Sequence, residues 1–404
     1  MSEYCVHCLP TKRRNHFKNY FEYYFVSFVD TLLTPMKYIS RNVNPARFTG
    51  GLIEFFARLG IVTFVQDPDC AQLNNRALVG FHAAKKRGLR IEAVRFFNTY
   101  FNEFRFFYNT QWHYYTSIPT TILWTRNDME MDDKAVVKQT LANGGVPVAH
   151  GAGCKTLFDA RAFAAHHGFP LVVKPLDGSS SMHVTFPIHS HDELTRAVEI
   201  AREYSPEFLV ERYLRGRLYR GTVVGKKYVF VCEKERTHVV GDGISQITQL
   251  IEEKNTDPRR APAGQKSATL RKIPVDQRVD VVLKKQNFTR DTIPAHGEKV
   301  YLHEKCLIGL GCDLIGHTEH AHPANKELFL RIATLFDTDL IGIDLICDDI
   351  QAPYDPENSG ILEVNGLPHV DLHVQPSVGP ADDIGTVIWD TVFARLDQNA
   401  IKSI

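Results

Sequence analysis

Two short runs near the C-terminal end, Ile341-Gly-Ile-Asp-Leu-Ile346 and Ile361-Leu-Glu-Val-Asn365, are apolar with isolated polar positions, and both read as β-strands. From Asp128 onward the punctuation predicts alternating helices and strands. A helix is expected over Asp132–Asn143, stopped by Gly-Gly-Val-Pro, and a second over Phe158–His167, followed by a strand at Pro170–Lys174. A third helix is predicted over His191–Tyr204, then strands at Phe208–Glu211, Tyr219–Val224 and Lys227–Lys234. The polar stretch 252–268 and the histidine-bearing stretch 296–322 read as loops with insertions, and there is no internal repeat.

Residues 1–125 differ in texture. They are rich in aromatics, as in Tyr20-Phe-Glu-Tyr-Tyr-Phe25 and Phe106-Phe-Tyr108. A helix is predicted from Asn74 to Gly88, then a strand over Leu89–Phe97 and a hairpin around Asn109-Thr110, which together describe a small α/β domain. The run Tyr20–Val29 contains Glu22 and ends beside Asp30, so core or subunit packing is expected there rather than membrane contact.

At 404 residues the chain has room for two or three subdomains of the ordinary size of about 100–200 residues each. Its 47 basic residues balance 47 acidic ones, which argues against a polyanion-coating role, and Lys85-Lys-Arg87 reads as the basic end of a helix. The eight cysteines lack disulfide-framework spacing, and neither a signal-peptide pattern nor an apolar run of membrane length is seen. A cytoplasmic protein with reduced thiols and no membrane or nucleic-acid partner is expected.

Residues two apart on a strand share a face, so Glu363 and Asn365 can hold one ion pair or ligand between them while Asp344 approaches from a neighbouring strand. Three oxygen donors suit Mg2+, which keeps much of its shell for water and substrate phosphates. ATP is then the expected ligand. Lys174 ends a buried-looking strand and precedes Pro175-Leu-Asp-Gly-Ser-Ser-Ser-Met-His183, a small-residue loop suited to an anion nest. Neither a P-loop nor a dinucleotide fingerprint occurs.

Read in order, Asp133-Lys134, Lys174 with its loop, Phe208-Leu-Val-Glu-Arg-Tyr-Leu-Arg-Gly216, Tyr219-Arg220, His238-Val-Val-Gly-Asp-Gly243, Asn255-Thr-Asp-Pro-Arg-Arg260, His322-Pro-Ala-Asn325, Gly342-Ile-Asp344 and Glu363-Val-Asn365 form one pattern. It resembles the ATP-grasp superfamily, most closely the ATP-grasp portion of cyanophycin synthetase, with glutathione synthetases and D-alanine ligases further off. The resemblance spans about residues 128–395 and implies an α+β fold in which two lobes clamp ATP. Its expected layout is an aromatic-rich N-terminal domain over 1–127 and an ATP-grasp domain over 128–400. That domain divides into a small lobe, 128–215, and a large lobe, 216–400, with an insertion near 234–325.

The resemblance also implies roles. Lys134 and Lys174 would grip phosphates, with Lys138 a substitute for Lys134, and Gly178, Ser179 and Ser180 would supply the phosphate loop. Glu211 would take the adenine amino group, with the backbone at Tyr213 and Leu214 completing the hinge. Asp344, Glu363 and Asn365 would hold two Mg2+ ions, Mn2+ being the alternative, while Arg220 and Lys234 would neutralise charge on the transferring group. The implied activity is amide-bond formation through an acyl phosphate on amino acid or peptide substrates, with a homodimer as one assembly. Rival readings are a thiol, hydroxyl or protein acceptor, and an inactive nucleotide-binding scaffold.

The chain departs from the pattern at Leu218, where relatives carry an acid, at the serine-rich loop, and at Ile308-Gly-Leu-Gly-Cys-Asp313. It stops at Ile404 without a Mur-ligase-like second catalytic domain, so one ligation step is expected rather than repeated polymerisation. Zinc at His317, His320 and His322, or at Cys5-Val-His-Cys8, is the lesser reading.

Overall fold

The computed structural model describes His7, residues 45–123, Met131, residues 134–176 and residues 182–402, with side chains withheld at 45–49, 134–135 and 399–402. The expected elements at Tyr20–Val29, the Cys5–Cys8 pair and the phosphate-loop residues Gly178, Ser179 and Ser180 lie outside the described residues.

The N-terminal part opens with helix α1 (Pro45–Arg58), strand β1 (Val62–Val65) and helix α2 (Asn75–Lys86). Strands β2 (Ile91–Phe96), β3 (Thr99–Tyr108) and β4 (Gln111–Thr116) follow, and β1-β2-β3-β4 form an antiparallel meander. The Asn109-Thr110 hairpin is present: both residues have positive φ, at 46° and 65°, as a tight two-residue turn between strands requires. Alternation along β3 buries Phe104 and Phe106, while Phe101 remains exposed.

Next come α3 (Lys134–Asn143), β5 (Gly151–Cys154), α4 (Leu157–His167), β6 (Leu171–Pro175), β7 (Thr185–Ile188), α5 (His191–Arg202) and β8 (Phe208–Arg212). Thr156 starts α4 with a capping box, its hydroxyl accepting from the Asp159 N–H and its own N–H donating to the Asp159 carboxylate, and the Ser190 hydroxyl caps α5. The strands assemble in the order β5-β8-β6-β7. Leu171, Val173, Phe208 and Val210 point to one face and meet Ala160, Leu194 and Val198 of the two helices. The opposite face of this sheet carries Val172, Lys174, Leu209 and Glu211 toward a cavity.

The remainder is built on β9 (Arg217–Val224) and β10 (Tyr228–Glu235), followed by β11 (His238–Val240), α6 (Ile247–Lys254), α7 (Gln277–Lys285), β12 (Lys299–Tyr301) and β13 (Asp313–Gly316). Helix α8 (Pro323–Leu335), β14 (Leu340–Cys347), β15 (Gly360–Asn365), α9 (Asp371–Val374) and α10 (Ile384–Lys402) complete the chain. A five-stranded sheet has the order β13-β10-β9-β14-β15. Tyr219, Val223, Ile341, Ile343 and Leu345 face α8, where Phe329 and Ile332 pack on them. On the other face Val224 and Leu340 lie under Ile384 and Ile388 of α10.

The stretch 296–322, expected to be loop, contains β12 and β13. Each has only three or four residues, too short for a two-residue period to register against the surrounding glycines. Strands β11 and β12 pair with each other and cover a small apolar core of their own, with Ile247, Ile251, Val279, Leu283 and Val300.

Helix α10 closes back on the N-terminal sheet. Its Trp389 is fully buried, donates its indole N–H to the Gly80 carbonyl at 2.8 Å, and meets the Phe106 ring edge-on at 4.8 Å. Replacing Trp389 by Ala should cost about 3–5 kcal/mol, since a large cavity opens and the Gly80 carbonyl loses its donor. Urea unfolding followed by far-UV circular dichroism measures this, and a loss below about 1 kcal/mol would contradict the packing described.

Candidate active site

A cavity of about 890 Å³ lies between the four-stranded sheet β5-β8-β6-β7 and the five-stranded sheet. Its apolar lining includes Met131, Leu141, Val148, Val172 and Ile361, and its polar lining includes Arg217, Glu233, Lys234, Glu363 and Asn365. Strand alternation accounts for the composition of its walls: with Val173 and Val210 turned to the helices, Val172, Lys174, Leu209 and Glu211 turn to the cavity.

Lys174 and Glu211 sit diagonally across the β6–β8 pair, where Val172 opposes Glu211 and Lys174 opposes Leu209. The Lys174 Nζ lies 2.7 Å from Glu211 Oε2, and Lys138 Nζ of α3 lies 3.2 Å from Oε1. Burial works against charge on Glu211, but the two ammonium groups outweigh it and hold its carboxyl below the ordinary value. Gly151 of β5 makes the arrangement possible, because a Cβ there would run into the Glu211 side chain and the Lys138 ammonium. Tyr213 and Leu214 line the same wall; the Tyr213 ring stacks near Phe186, and its backbone N–H donates to the Pro170 carbonyl at 3.0 Å. Of the two candidate lysines on α3, Lys138 lines the cavity, whereas the Lys134 side chain lies outside the described ones.

In the five-stranded sheet the register puts three charged positions and one amide together. On three adjacent strands Arg220 opposes Asp344 and Asp344 opposes Glu363, with Asn365 two places along on the same face. Arg220 Nε donates to Asp344 Oδ1 at 2.5 Å, and Lys234 Nζ reaches Oδ2 at 2.8 Å. Burial opposes ionisation of Asp344, but Arg220 and then Lys234 overcome it and hold the carboxyl far below the usual range. Glu363 and Asn365 face the cavity directly, while Asp344 and Arg220 lie behind, buried to within 6% of full coverage.

This donor set fits a hard divalent cation. It is all oxygen and its members stand on neighbouring strands; Glu363 and Asn365 face the cavity, whereas both oxygens of Asp344 are held by Arg220 and Lys234, so a metal would have to displace one of those cations to use it. The histidine alternative does not assemble. His317 faces Glu233 at 3.2 Å, and the His322 ring caps α8 by accepting from the Ala324 N–H. Glu235, His238 and Asp313 do converge, but Lys299 pairs with Glu235, while Lys254 and Arg260 occupy Asp313. Cations of the protein thus already hold those carboxylates.

Several wall residues escaped the sequence reading: Arg217, Glu233, Glu235, Arg236 and Lys299. Their only signal is the alternating-charge run Glu233-Lys-Glu-Arg236 at the end of an apolar strand, a pattern that resembles an ordinary solvated strand end. Leu218 also lines the cavity, so the departure seen there in the sequence falls on its wall.

A family model described as the D-ala D-ala ligase C-terminus matches residues 155–261. The bifunctional glutathione synthetase of Pasteurella multocida, a solved structure, superposes with a TM-score of 0.62 at 24% identity, over 81% of this chain and 44% of that one. The chain carries an ATP-grasp fold. Over 270 residues, 67% of its length, it is 36% identical to cyanophycin synthetase of Trichormus variabilis. It is 32% identical over 266 residues to the glutathione biosynthesis bifunctional protein of Clostridium perfringens, 65% of this chain. The ATP-grasp chain spans 30% and 34% of the length of these two curated relatives. Among the described residues no helix is long and apolar enough to cross a membrane.

Two consequences can be measured. Asp344→Asn leaves Arg220 and Lys234 buried without their counter-charge and should cost about 3–5 kcal/mol in urea unfolding. The folded Asp344 pKa lies below the unfolded one. Its contribution is therefore complete above the ordinary carboxylate value of about 4 and is lost only as pH falls well below it; a wild-type-to-variant gap that vanished by pH 6 would contradict the pairing. His373 acts in the same direction but from a higher pH. It is buried behind Arg220, with Nε2 at 2.8 Å from the Thr222 hydroxyl, and burial, then Arg220, push its pKa down from 6.5 to about 3. Between those values only the unfolded chain binds the proton, so stability should fall by up to about 1.4 kcal/mol per pH unit below about pH 6. His373→Gln should flatten that slope.

Proposed function

We propose that this chain is an ATP-dependent carboxylate–amine ligase that forms an amide bond through an acyl phosphate, on amino acid or peptide substrates. The observation that carries this reading is a cavity lined by Glu363 and Asn365, with Asp344 opposite Glu363 in the sheet just behind, and lined also by the Lys138–Glu211–Lys174 cluster. At about 890 Å³ the cavity falls in the usual size range of small-molecule sites. Similarity to the ligases named above supports the same reading.

In the reaction, a substrate carboxylate oxygen attacks the γ-phosphorus, and the bond to the β-phosphate oxygen breaks to release ADP. An amine then attacks the acyl carbon, loses a proton, and expels inorganic phosphate. Two Mg2+ ions, or Mn2+, held by Asp344, Glu363 and Asn365 would neutralise phosphate charge. Lys138 and Lys174 would take phosphate charge, nucleotide binding exchanging their contacts with Glu211 for contacts with phosphate and release reversing the exchange. Lys234 and Arg220 supply cationic charge where the transferring group becomes most negative. Met131, Leu141 and Val172 exclude water from the base.

The cluster also has a charge argument. Lys234 and Arg220 balance Asp344 and Glu363 in the metal-free protein. A divalent cation and a triphosphate carry opposite charges and would offset one another beside this balanced set, so metal and nucleotide should bind with positive coupling.

The test is Mg-dependent ADP release with a mixture of the standard amino acids, with product mass identifying the bond formed. Glu363→Gln should lower the rate by about 100-fold or more while leaving the circular dichroism spectrum unchanged. A rate like that of the wild type would overturn the assignment. Binding of Mg-ATP without any ADP release would favour the scaffold reading, and a product joined through sulfur or oxygen would favour a different acceptor.

A further inference from the structure

Arg236 follows the end of β10 and lines the cavity, yet it makes no ion pair among the described residues. Neighbouring cations are differently placed. Lys234 is committed to Asp344, Lys299 to Glu235 and Arg217 to Glu233. Arg236 is instead held by uncharged groups: its Nε donates to the His303 carbonyl at 3.2 Å, and its guanidinium lies 4.3 Å from the centre of the Tyr301 ring. These two contacts fix the plane of the guanidinium and use one of its five N–H groups. The two terminal nitrogens remain available as a rigid fork, the geometry that matches a carboxylate.

Position adds to the case. Tyr301 at the end of β12 and Glu304, Lys305 and Cys306 after it line the same cavity as Arg236 and Lys234. Arg236 is one residue beyond β10, whose sheet carries Asp344 and Glu363, whereas Lys138 and Lys174 belong to α3 and β6. An anion bound by Arg236 is thus held from the Asp344–Glu363 sheet and not from the lysine pair.

Resting on the ligase reading above, we propose that Arg236 is a specificity residue that clamps a carboxylate of the amino acid or peptide substrate, with Tyr301 and the His303 carbonyl setting its orientation. The carboxylate is either the one that is activated or the one that remains free on the acceptor; both are the same chemistry for a guanidinium fork. The site thereby selects substrates bearing an anionic group at that position and rejects their amides.

The experiment that tests this uses the full chain with Mg2+ and a non-hydrolysable ATP analogue. Phenylglyoxal modifies accessible arginines, and peptide mass spectrometry reads the rate at Arg236. A mixture of dipeptides with free carboxylates should slow modification of Arg236, whereas the same dipeptides with amidated C-termini should protect less. Equal protection by both mixtures assigns the bound carboxylate to a position other than the C-terminus when free amino acids also protect, in agreement with the proposal. Equal protection without that effect, or no protection by any carboxylate, overturns it. Full protection by the nucleotide analogue alone also overturns it, since Arg236 would then belong to the phosphates.

A kinetic arm separates this claim from the ligase reading. Arg236→Met keeps the apolar stem against Tyr301 and should raise KM for the preferred amino acid mixture about 10- to 100-fold, the usual effect of removing a charged hydrogen-bond pair. Affinity for a fluorescent ATP analogue should stay within about threefold of the wild type. Arg236→Lys should recover only part of the loss, because an ammonium lacks the fork. An unchanged KM overturns the proposal. Absence of ADP release from the wild type with every mixture would instead sink the ligase reading, and the protection assay would still decide whether Arg236 holds a carboxylate.

Discussion

Asp344 is a carboxylate in the middle of a strand whose eight residues are otherwise apolar, and it stays ionised because Arg220 and Lys234 reach it from the next two strands. Taking these charges out of water is costly, and the cost is recovered only where geometry lets both oxygens of the carboxylate be engaged. That requirement pins the register of β9 against β14, because a slip of one residue would turn Asp344 into the Phe329 and Ile332 core on the opposite face. The same register brings Glu363 opposite Asp344 and Asn365 to the cavity. A local electrostatic demand thus organises both the sheet and the place where phosphate charge would be met.

The strand β9 shows how one element serves both structure and site. Val223 and Tyr219 pack under α8, while on the reverse face Val224 lies beneath α10, Thr222 meets His373, and Arg220 meets Asp344. Polarity rises along one face over a few residues because α10 covers only part of it. The uncovered part becomes the cavity wall.

The segment between β10 and β13 is attached by ions as well as by a small apolar cluster in which Leu270 meets Cys232, Leu314 and Leu372. Asp313 receives Lys254 and Arg260, and Arg260 also donates to the carbonyls of Arg271 and Gly311. Arg259 pairs with Asp257 and reaches the Pro376 carbonyl. The Asn255-Thr-Asp-Pro-Arg-Arg260 stretch is therefore a structural clamp, and the wall containing Tyr301 and Glu304 depends on it.

Local rules determined a good deal. Alternation of apolar residues, capping at Thr156 and Ser190, and the Asn109-Thr110 turn are encoded within a few residues of where they act, so helices, strands and the shared face of Glu363 and Asn365 were legible. Strands β12 and β13 were not, since three or four residues are too few to show a period. Nor could spacing show that Lys138 pairs with Glu211, that Asp344 is shared by Arg220 and Lys234, or that Trp389 fills the N-terminal core: these partners lie 73, 124, 110 and 309 positions apart along the chain. Charge pairing and burial depend on distance in space. Only the packed fold decided which ionisable groups lost their water, and so which had to find one another.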